Sequence, residues 1–356
     1  MHSTTLDCFR DTVTHCRPSR TLFYASFTKA LKESVCAQLG LRPDAALDEH
    51  FGMFRPAGVG MKAPADCRPP DFNRYFASVD RHAGDFINGL GVLETPGGFH
   101  HFTQYTSPLR AAASFSDLES FPYPSVEGFT EEGMREAVAE AHARGVPAVT
   151  WVGHMYESAW QIRGYEPFLM DMFDRPEWCE YILDRLAERN LIVACAAARA
   201  GVDYLRTGDD VANQRDMMFS VEQWRHFIKS RWAKVYAAAR AIKPDIQIWY
   251  HSDGNIERII PELIEIGVTI LNPVQPECMD PVAIKRKYGR HLTLDGTIGT
   301  QTVMPFGSPE DVRAMVQRMK AELGADGGLI LSPTHVLEPE VPLKNILAFV
   351  ESAAQP

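Results

Sequence analysis

One repeating pattern constrains the fold of this chain more than any other feature. From Pro147 to the C-terminus, short apolar runs of β-type residues alternate with longer segments of helical periodicity, and polar residues follow each run. Alternation of this kind implies parallel strands joined by helical crossovers, so the sequence predicts an α/β fold. The six apolar runs are Pro147–Val152, Val202–Arg206, Ile246–Tyr250, Val268–Leu271, Leu292–Leu294 and Gly328–Leu331.

Capping residues mark where the intervening helices begin. Ser220 is predicted to cap a helix that runs through Ala241, with the acidic Glu222 in its first turn. Ser308 precedes Pro309, a favoured first helical residue, and predicts a helix that ends at Leu323. The other predicted helices lie within about 158–200, from about 256, from about 281 and over 343–353.

Two architectures fit this alternation, an open doubly wound sheet and a closed (β/α)8 barrel. Every strand ends in polar residues, whereas an open sheet concentrates its ligand site at one switch point. Arg20–Tyr24 also supplies a first strand from the N-terminal half. We therefore predict an α/β fold, a (β/α)8 TIM barrel with an irregular, Pro- and Gly-rich N-terminal region. One domain would span 1–356, with 1–17 as an N-terminal extension.

The composition indicates which classes of partner the protein can bind and in which compartment it occurs. There are 36 Lys and Arg against 46 Asp and Glu, a formal net charge of −10, which disfavours binding to nucleic acid and to anionic membranes. The seven cysteines are scattered without a C-x-x-C pair, which indicates a reducing compartment. No secretory leader and no apolar run of about 20 residues is visible. We predict a cytoplasmic protein that binds a small molecule, with neither a nucleic-acid nor a membrane partner.

The polar residues after the strands predict a shared site. Parallel strands of a barrel end at one mouth, where barrel enzymes collect catalytic groups from several strands. The residues expected there are His154, Tyr156, Glu157, Asp209, Asp210, Gln214, His251, Asp253, Asn272, Gln275, Asp295 and His335.

Several of these residues have a plainer explanation. Asp209 and Asp210 fit a site and a solvated loop equally well, and only one of two adjacent carboxylates would face the pocket. A single His251 is more often structural, but the His-x-Asp spacing with Asp253 puts both side chains on one face, which suits metal binding. Glu157 could instead pair with Arg163 on the following helix.

The residues around these positions resemble the uroporphyrinogen decarboxylase superfamily, which also contains the cobalamin-dependent methyltransferases. The resemblance implies the same (β/α)8 barrel. It begins near Pro18 and is densest after Tyr156. The stretches that carry it are SPLRAAASFSDLESFPYP, ESAWQIRGYEPFLMDMF, GDDVANQ, HSDGNIERIIPELIEIGVTILNPVQPECMDPVAIKRKYGRHLTLDGTIGTQTVMPFGSPEDV and GGLILSPTHVLEPEVPLKNI.

The two branches of this superfamily differ from the chain in different places. The tetrapyrrole decarboxylases carry an arginine-rich M-R-Q-A-G-R-Y signature, but the chain has TLFYASFT at 21–28, so we do not expect a true uroporphyrinogen decarboxylase. The methyltransferases bind zinc through His-x-Cys and a later Cys. Here His251 matches the histidine, while Asp253 and His335 replace the cysteines. The resemblance therefore implies a harder zinc site of His251, Asp253 and His335, with Glu157 as a candidate fourth ligand.

These observations lead to a metal-assisted methyltransferase as the first hypothesis. The enzyme would demethylate a small substrate and pass the methyl group to a corrinoid carried by a separate protein. Asp209, Asp210, Glu157 and His335 would act in catalysis. The family also suggests a homodimer. The residues expected to bind the substrate are Tyr156, Arg206, Gln214, Asn272 and Asp295.

Two other hypotheses stay open at this point. One is a metal-free decarboxylase or lyase of a carboxylated substrate, with His335 and Asp209 or Asp210 as proton donors near Arg206 or Arg163. The other is a non-catalytic binding module. It is the least favoured, because so many ionisable groups converge on the mouth.

Overall fold

The computed structural model describes residues 3–97 and 103–355. Its strands are β1 (Leu22–Phe23), β2 (Ala57–Gly58), β3 (Phe86–Ile87), β4 (Leu93–Pro96), β5 (Thr103–Thr106), β6 (Ala148–His154), β7 (Tyr204–Gly208), β8 (Gln247–His251), β9 (Ile270–Asn272), β10 (Thr293–Asp295) and β11 (Leu329–Leu331).

The helices alternate with these strands. They are α1 (Thr5–Val13), α2 (Lys29–Gln38), α3 (Leu47–His50), α4 (Phe115–Glu119), α5 (Met134–Ala143), α6 (Tyr156–Arg163), α7 (Tyr165–Asp174), α8 (Pro176–Ala200), α9 (Val221–Trp224), α10 (Ser230–Ile242), α11 (Ile260–Ile266), α12 (Pro281–Tyr288), α13 (Val303–Phe306), α14 (Pro309–Leu323) and α15 (Leu343–Ala354). Single 3-10 turns occur at Asn73–Phe76 and Glu257–Ile259, and a π turn occurs at Arg225–Lys229.

Eight of the strands form one parallel sheet in the order β1, β11, β10, β9, β8, β7, β6, β2. The two ends of this order meet, because Phe54, just before β2, donates its backbone N–H to the carbonyl of Phe23 in β1 (2.7 Å). On the other side of β1, Tyr24 donates to the carbonyl of Leu331 (3.1 Å). The sheet therefore curls into the predicted TIM barrel, which confirms the expected fold class.

The six strand–helix units of the second half lie where the sequence predicted them. Ser308 caps α14, because its Oγ accepts the N–H of Asp311 (3.2 Å), and that helix has the predicted bounds. The segment 158–200 is helical as expected, and it is divided into three helices. Gly164, at a φ of +106°, separates α6 from α7, and Pro176 begins α8. The helix expected after Ser220 is interrupted by the π turn.

Helix α1 closes the N-terminal end of the barrel. Its Phe9 is 1% exposed, and its ring centroid lies 5.0 Å from that of Tyr204. The helix is fixed at both sides, because Leu6 donates to the carbonyl of Gly145 (2.7 Å) and Gly328 donates to the carbonyl of Thr12 (2.9 Å). The described part of the expected extension, residues 3–17, therefore contributes a helix that fills the base of the barrel. Residues 1 and 2 lie outside the described residues. With Cys8 and Phe9, the buried cluster contains Leu22, Val149, Tyr204, Trp249, Ile270 and Ile330.

The N-terminal third contains more regular structure than its composition suggests. Strands β3, β4 and β5 form a separate antiparallel sheet. The Tyr105 ring of β5 lies 5.7 Å from the Trp160 ring of α6, so this sheet packs beside the helix that follows β6. Among the residues that the structure describes, no helix has both the length and the apolar character of a membrane span.

Candidate active site

His251 ends β8 on the inner face of the barrel. Its ring stacks on that of Trp249, with centroids 5.7 Å apart and planes inclined by 11°. Nδ1 lies 2.7 Å from Oδ1 of Asn272, the last residue of β9. The Asn272 Nδ2 donates to the hydroxyl of Tyr24 and to the carbonyl of Asp295 (3.4 Å each), so Oδ1 is the acceptor and His251 Nδ1 the donor. This contact leaves the lone pair of Nε2 free to bind a cation.

Two carboxylates surround that nitrogen. His251 Nε2 lies 3.6 Å from Oδ1 of Asp210 and 3.9 Å from Oδ1 of Asp253. One ligand atom from each of these three residues lies within 4.8 Å of the others, a spacing that a single metal ion could bridge. Burial raises the pKa of Asp210 to about 6, against the lowering effect of His251, and the charges of Glu157 and Asp253 raise it further. A cation bound between Asp210, His251 and Asp253 would reduce the repulsion between these carboxylates.

The arrangement differs from the ligand set inferred from sequence. His251 and Asp253 lie together as expected, but their close partner is Asp210, which the sequence placed in catalysis. His335 lies 3.8 Å from the second oxygen of Asp253, measured from its Nε2 to Oδ2, so it approaches the group from the far side of that carboxylate. Asp253 and His335 both line a cavity of about 360 Å³, together with Gln214 and Gln275.

A second ionisable group lies beside the first. The Nδ1 of His154 is 2.5 Å from Oε2 of Glu157 and 2.9 Å from the carbonyl of Gly208. Burial opposes protonation of His154, but the hydrogen bond and charge of Glu157 outweigh it and raise the pKa of His154 to about 9. Burial also works against the charged form of Glu157, yet the contact with His154 lowers the pKa of Glu157. Glu157 Oε2 accepts the N–H of Asp210 (3.2 Å), so the two groups are connected.

The alternative partner considered for Glu157 is occupied elsewhere. Arg163 is 5% exposed and donates its Nε to Asp171 (2.7 Å) and its Nη1 to the carbonyl of Leu109 (2.7 Å). Arg163 therefore holds α6 against neighbouring segments. It is not positioned to meet a substrate carboxylate in the mouth.

Asp209 and Asp210 face different surroundings. Asp209 is fully buried, and its carboxylate accepts the N–H of Met155 (2.7 Å), the N–H of Glu157 (3.1 Å) and Nε1 of Trp232 (2.8 Å). Burial raises the pKa of Asp209 to about 7. The residue holds the first turn of α6, so Asp210 is the member of the pair that lies in the mouth.

Two residues expected to contact the substrate lie deeper in the protein. Tyr156 is fully buried, with its ring 5.8 Å from that of Phe168 and 5.1 Å from that of Phe219, so it packs in the core. Asp295 is 2% exposed. It accepts three hydrogen bonds, from Trp249 Nε1 (2.7 Å), Tyr24 OH (3.2 Å) and Ser332 Oγ (3.1 Å). Both residues therefore belong to the buried interior next to the site and do not lie on its exposed surface.

Two glycines allow the strand ends to come close together. A Cβ added to Gly208 would lie 2.4 Å from the carbonyl oxygen of His251. A Cβ added to Gly254 would lie 2.5 Å from the carbonyl of Asn213, and that glycine has a φ of +87°. The Asp253–Gly254 turn therefore depends on glycine, since any side chain would push it away from the loop after β7.

Comparison with known proteins assigns the chain to a family. The family model described as Uroporphyrinogen decarboxylase (URO-D) matches residues 107–355, the part of the chain that carries the ends of strands β6 to β11. The chain belongs to the uroporphyrinogen decarboxylase family. The resemblance seen in the sequence is therefore confirmed. No curated protein matches this URO-D family member.

One of the solved structures compared has the same fold. A methyltransferase from Methanosarcina mazei is similar, with a TM-score of 0.64 and 18% sequence identity over 99% of this chain and 98% of that one. An α-amylase from Geobacillus thermoleovorans has a TM-score of 0.34 and 10% identity over 63% of this chain and 60% of its own. At 18% identity, the likeness to the methyltransferase shows a shared fold for the URO-D family member. The TM-score of the α-amylase is too low to support any conclusion.

Proposed function

We propose that this URO-D family member is a metal-assisted methyltransferase. It would take a methyl group from an oxygen of a small substrate and pass it to a corrinoid on a separate partner protein. The observation that carries the proposal is the hydrogen bond between His251 and Asn272, which aims Nε2 at two carboxylates. A nitrogen and carboxylate oxygens suit zinc and favour oxygen-bearing substrates over soft thiols.

The residues present fit such an ion. Asp210, His251 and Asp253 would hold it, with His335 next to the second carboxylate oxygen of Asp253, Oδ2. A divalent ion would supply Lewis acidity to the substrate oxygen that carries the methyl group. Asn272 would keep the His251 ring in the orientation and tautomer that ligation requires.

His154 is the proton donor in this proposal. When the methyl group leaves, the substrate oxygen keeps the electron pair of the broken C–O bond and needs a proton. His154 is protonated at neutral pH because Glu157 raises its pKa to about 9. Its Nδ1 is held by Glu157 and by the Gly208 carbonyl, so Nε2 is the nitrogen that can meet a substrate.

Metal analysis of the purified protein tests the site. We expect about one divalent ion per chain, retained in the exposed-residue control His50→Ala and lost in His251→Ala and Asp210→Asn. Absence of a stoichiometric metal, together with full activity of His251→Ala, would contradict the proposal.

Product analysis tests the reaction. Purified protein would be incubated with methylcobalamin and a panel of phenols and alcohols, with methylcobalamin loss followed by absorbance. Loss that requires both the protein and an oxygen-bearing acceptor supports methyl transfer in the reverse direction. Metal-independent release of carbon dioxide from a carboxylated substrate would select the carboxy-lyase. Ligand binding without turnover would select the binding module.

A further inference from the structure

Three inward-facing side chains form a stack one step deeper in the barrel than the two histidines. Trp151, Arg206 and Trp249 are paired in register across β6, β7 and β8. The guanidinium carbon of Arg206 lies 4.2 Å from the ring centroid of Trp249 and 5.9 Å from that of Trp151. His154 lies against Trp151, with ring centroids 4.9 Å apart, and His251 stacks on Trp249.

Arg206 has hydrogen-bonding capacity that the protein does not use. Its Nε is buried and has no hydrogen-bond partner among residues 3–97 and 103–355. Burial raises the pKa of the nearby Asp295 carboxylate and the charge of Arg206 lowers it, but the hydrogen bonds to that carboxylate come from Trp249, Tyr24 and Ser332. A buried donor without an acceptor costs free energy, so this guanidinium is suited to receive an anion from outside the chain.

The flanking tryptophan offers a flat surface for a ring. Trp151 is 47% exposed although it lies on a barrel strand. Together with His154 it lines a cavity of about 350 Å³. An exposed indole face stacks well with planar groups. Arg206 does not line this cavity, but its guanidinium carbon lies 5.9 Å from the centroid of the Trp151 ring.

The residues around Arg206 favour a carboxylate over a phosphate as the ligand of its guanidinium. The planar fork of a guanidinium matches a carboxylate through two parallel hydrogen bonds. Glu157, Asp210 and Asp253 make the rest of the mouth acidic, so a doubly charged phosphate would be repelled more strongly than a singly charged carboxylate.

We propose that Arg206 and Trp151 form the binding site for an aromatic carboxylic acid, with the carboxylate on the guanidinium and the ring against the indole. This inference rests on the proposed function, because it names the substrate class of the same mouth. A ring seated here would extend from the base of the stack toward His154 and the group formed by Asp210, His251 and Asp253.

Calorimetric titration of the purified full-length protein with benzoate tests the inference. We expect benzoate to bind the wild type and to bind Arg206→Gln about tenfold or more weakly, because a charge-assisted pair is lost. Arg206→Lys should keep part of the affinity, since it keeps the charge. Arg290→Gln, an exposed arginine, is the matched control and should bind like the wild type. Trp151→Leu should weaken benzoate binding more than acetate binding.

Several results would overturn the inference. These are no benzoate binding by the wild type, equal binding by Arg206→Gln, or tighter binding of phenyl phosphate or benzamide than of benzoate. Thermal melting of each variant shows whether it is folded. If Arg206→Gln does not fold, the affinity of Arg206→Lys still tests whether the positive charge binds benzoate. The titration needs neither a metal nor methyl transfer. Benzoate binding in a protein that holds no metal would therefore refute only the proposed function.

Discussion

The amide of Asn272 holds the ring of His251 through a 2.7 Å hydrogen bond to Nδ1, and the same amide donates to Tyr24 and to the Asp295 carbonyl. Because this contact orients Nε2, Asn272→Ala should weaken metal affinity by about 10- to 100-fold without removing a ligand. Metal titration with a competing chelator measures the change. The exposed Asn73→Ala is the control. Unchanged affinity in Asn272→Ala would mean that His251 is oriented by other contacts.

The pair of His154 and Glu157 predicts a pH-dependent stability. The pKa of His154 is about 9 in the folded protein and has an ordinary value of 6.5. Stabilisation by this raised pKa is fully present below pH 6.5 and is lost as the pH rises through about 9. Urea unfolding between pH 6 and 10 should show this loss in the wild type and much less of it in Glu157→Gln.

An exposed pair of the same kind provides the control for that experiment. His226 and Glu180 lie 2.8 Å apart, but their side chains are 57% and 40% exposed. Exposed pairs contribute little because water and salt screen them, so Glu180→Gln should leave the pH profile of stability unchanged. An identical profile in Glu157→Gln and wild type would contradict the prediction for His154.

Asp209 is predicted to act on stability rather than on the chemical step. Asp209→Ala removes the acceptor of two backbone N–H groups and of Trp232 Nε1; the bonds from Met155 and Trp232 are buried and the bond from Glu157 is partly buried. Unsatisfied buried donors should lower the free energy of unfolding by about 3 kcal/mol, measured by urea denaturation. The exposed Asp66→Ala should have little effect. Normal stability with lost activity and intact metal binding would instead return Asp209 to catalysis.

Phe9 tests the role of helix α1. It is 1% exposed and packs on Tyr204, so Phe9→Ala should lower the free energy of unfolding by about 3–5 kcal/mol. Phe306 is 79% exposed, and Phe306→Ala should stay within about 0.5 kcal/mol of the wild type. Thermal or urea unfolding of both variants gives the comparison. Equal stability of the two variants would show that the base of the barrel does not depend on α1.

The sequence predicts the second half of the fold well, because each strand there is an apolar run followed by a helical segment, and Ser220, Asp280 and Ser308 cap three of the helices. Strand β2 was missed, since Ala57–Gly58 has only two residues and no periodicity of its own. It is defined by its neighbour β6 rather than by local preference. The antiparallel sheet of β3, β4 and β5 was missed for a similar reason, and α1 gave no local sign that it fills the barrel.

The sequence predicts where the site lies, but not which of its side chains contact one another. Strand ends indicate which residues reach the mouth, and His251 with Asp253 follows from their spacing. The contact of Asp210 with Asp253 depends on how neighbouring strands are staggered, and that of Glu157 with His154 depends on how the chain turns from the end of β6 into α6. The one-residue bulge between Trp151 and Gly153 helps to bring His154 over the Trp151 ring. Alternation along β6 and β8 would have drawn attention to Trp151 and Trp249.

Helix α1 also has a consequence for the order in which the protein can fold. Its contacts join residues near the start of the chain to the segments just before β6 and β11, through the carbonyl of Gly145 and the N–H of Gly328. During synthesis, more than three hundred further residues must therefore be added after Phe9 before all the residues that bury it are present. Contacts of such sequence separation form slowly. Until they form, the apolar face of an amphipathic helix and the open base of an incomplete barrel remain available to chaperones, or to other copies of the same chain.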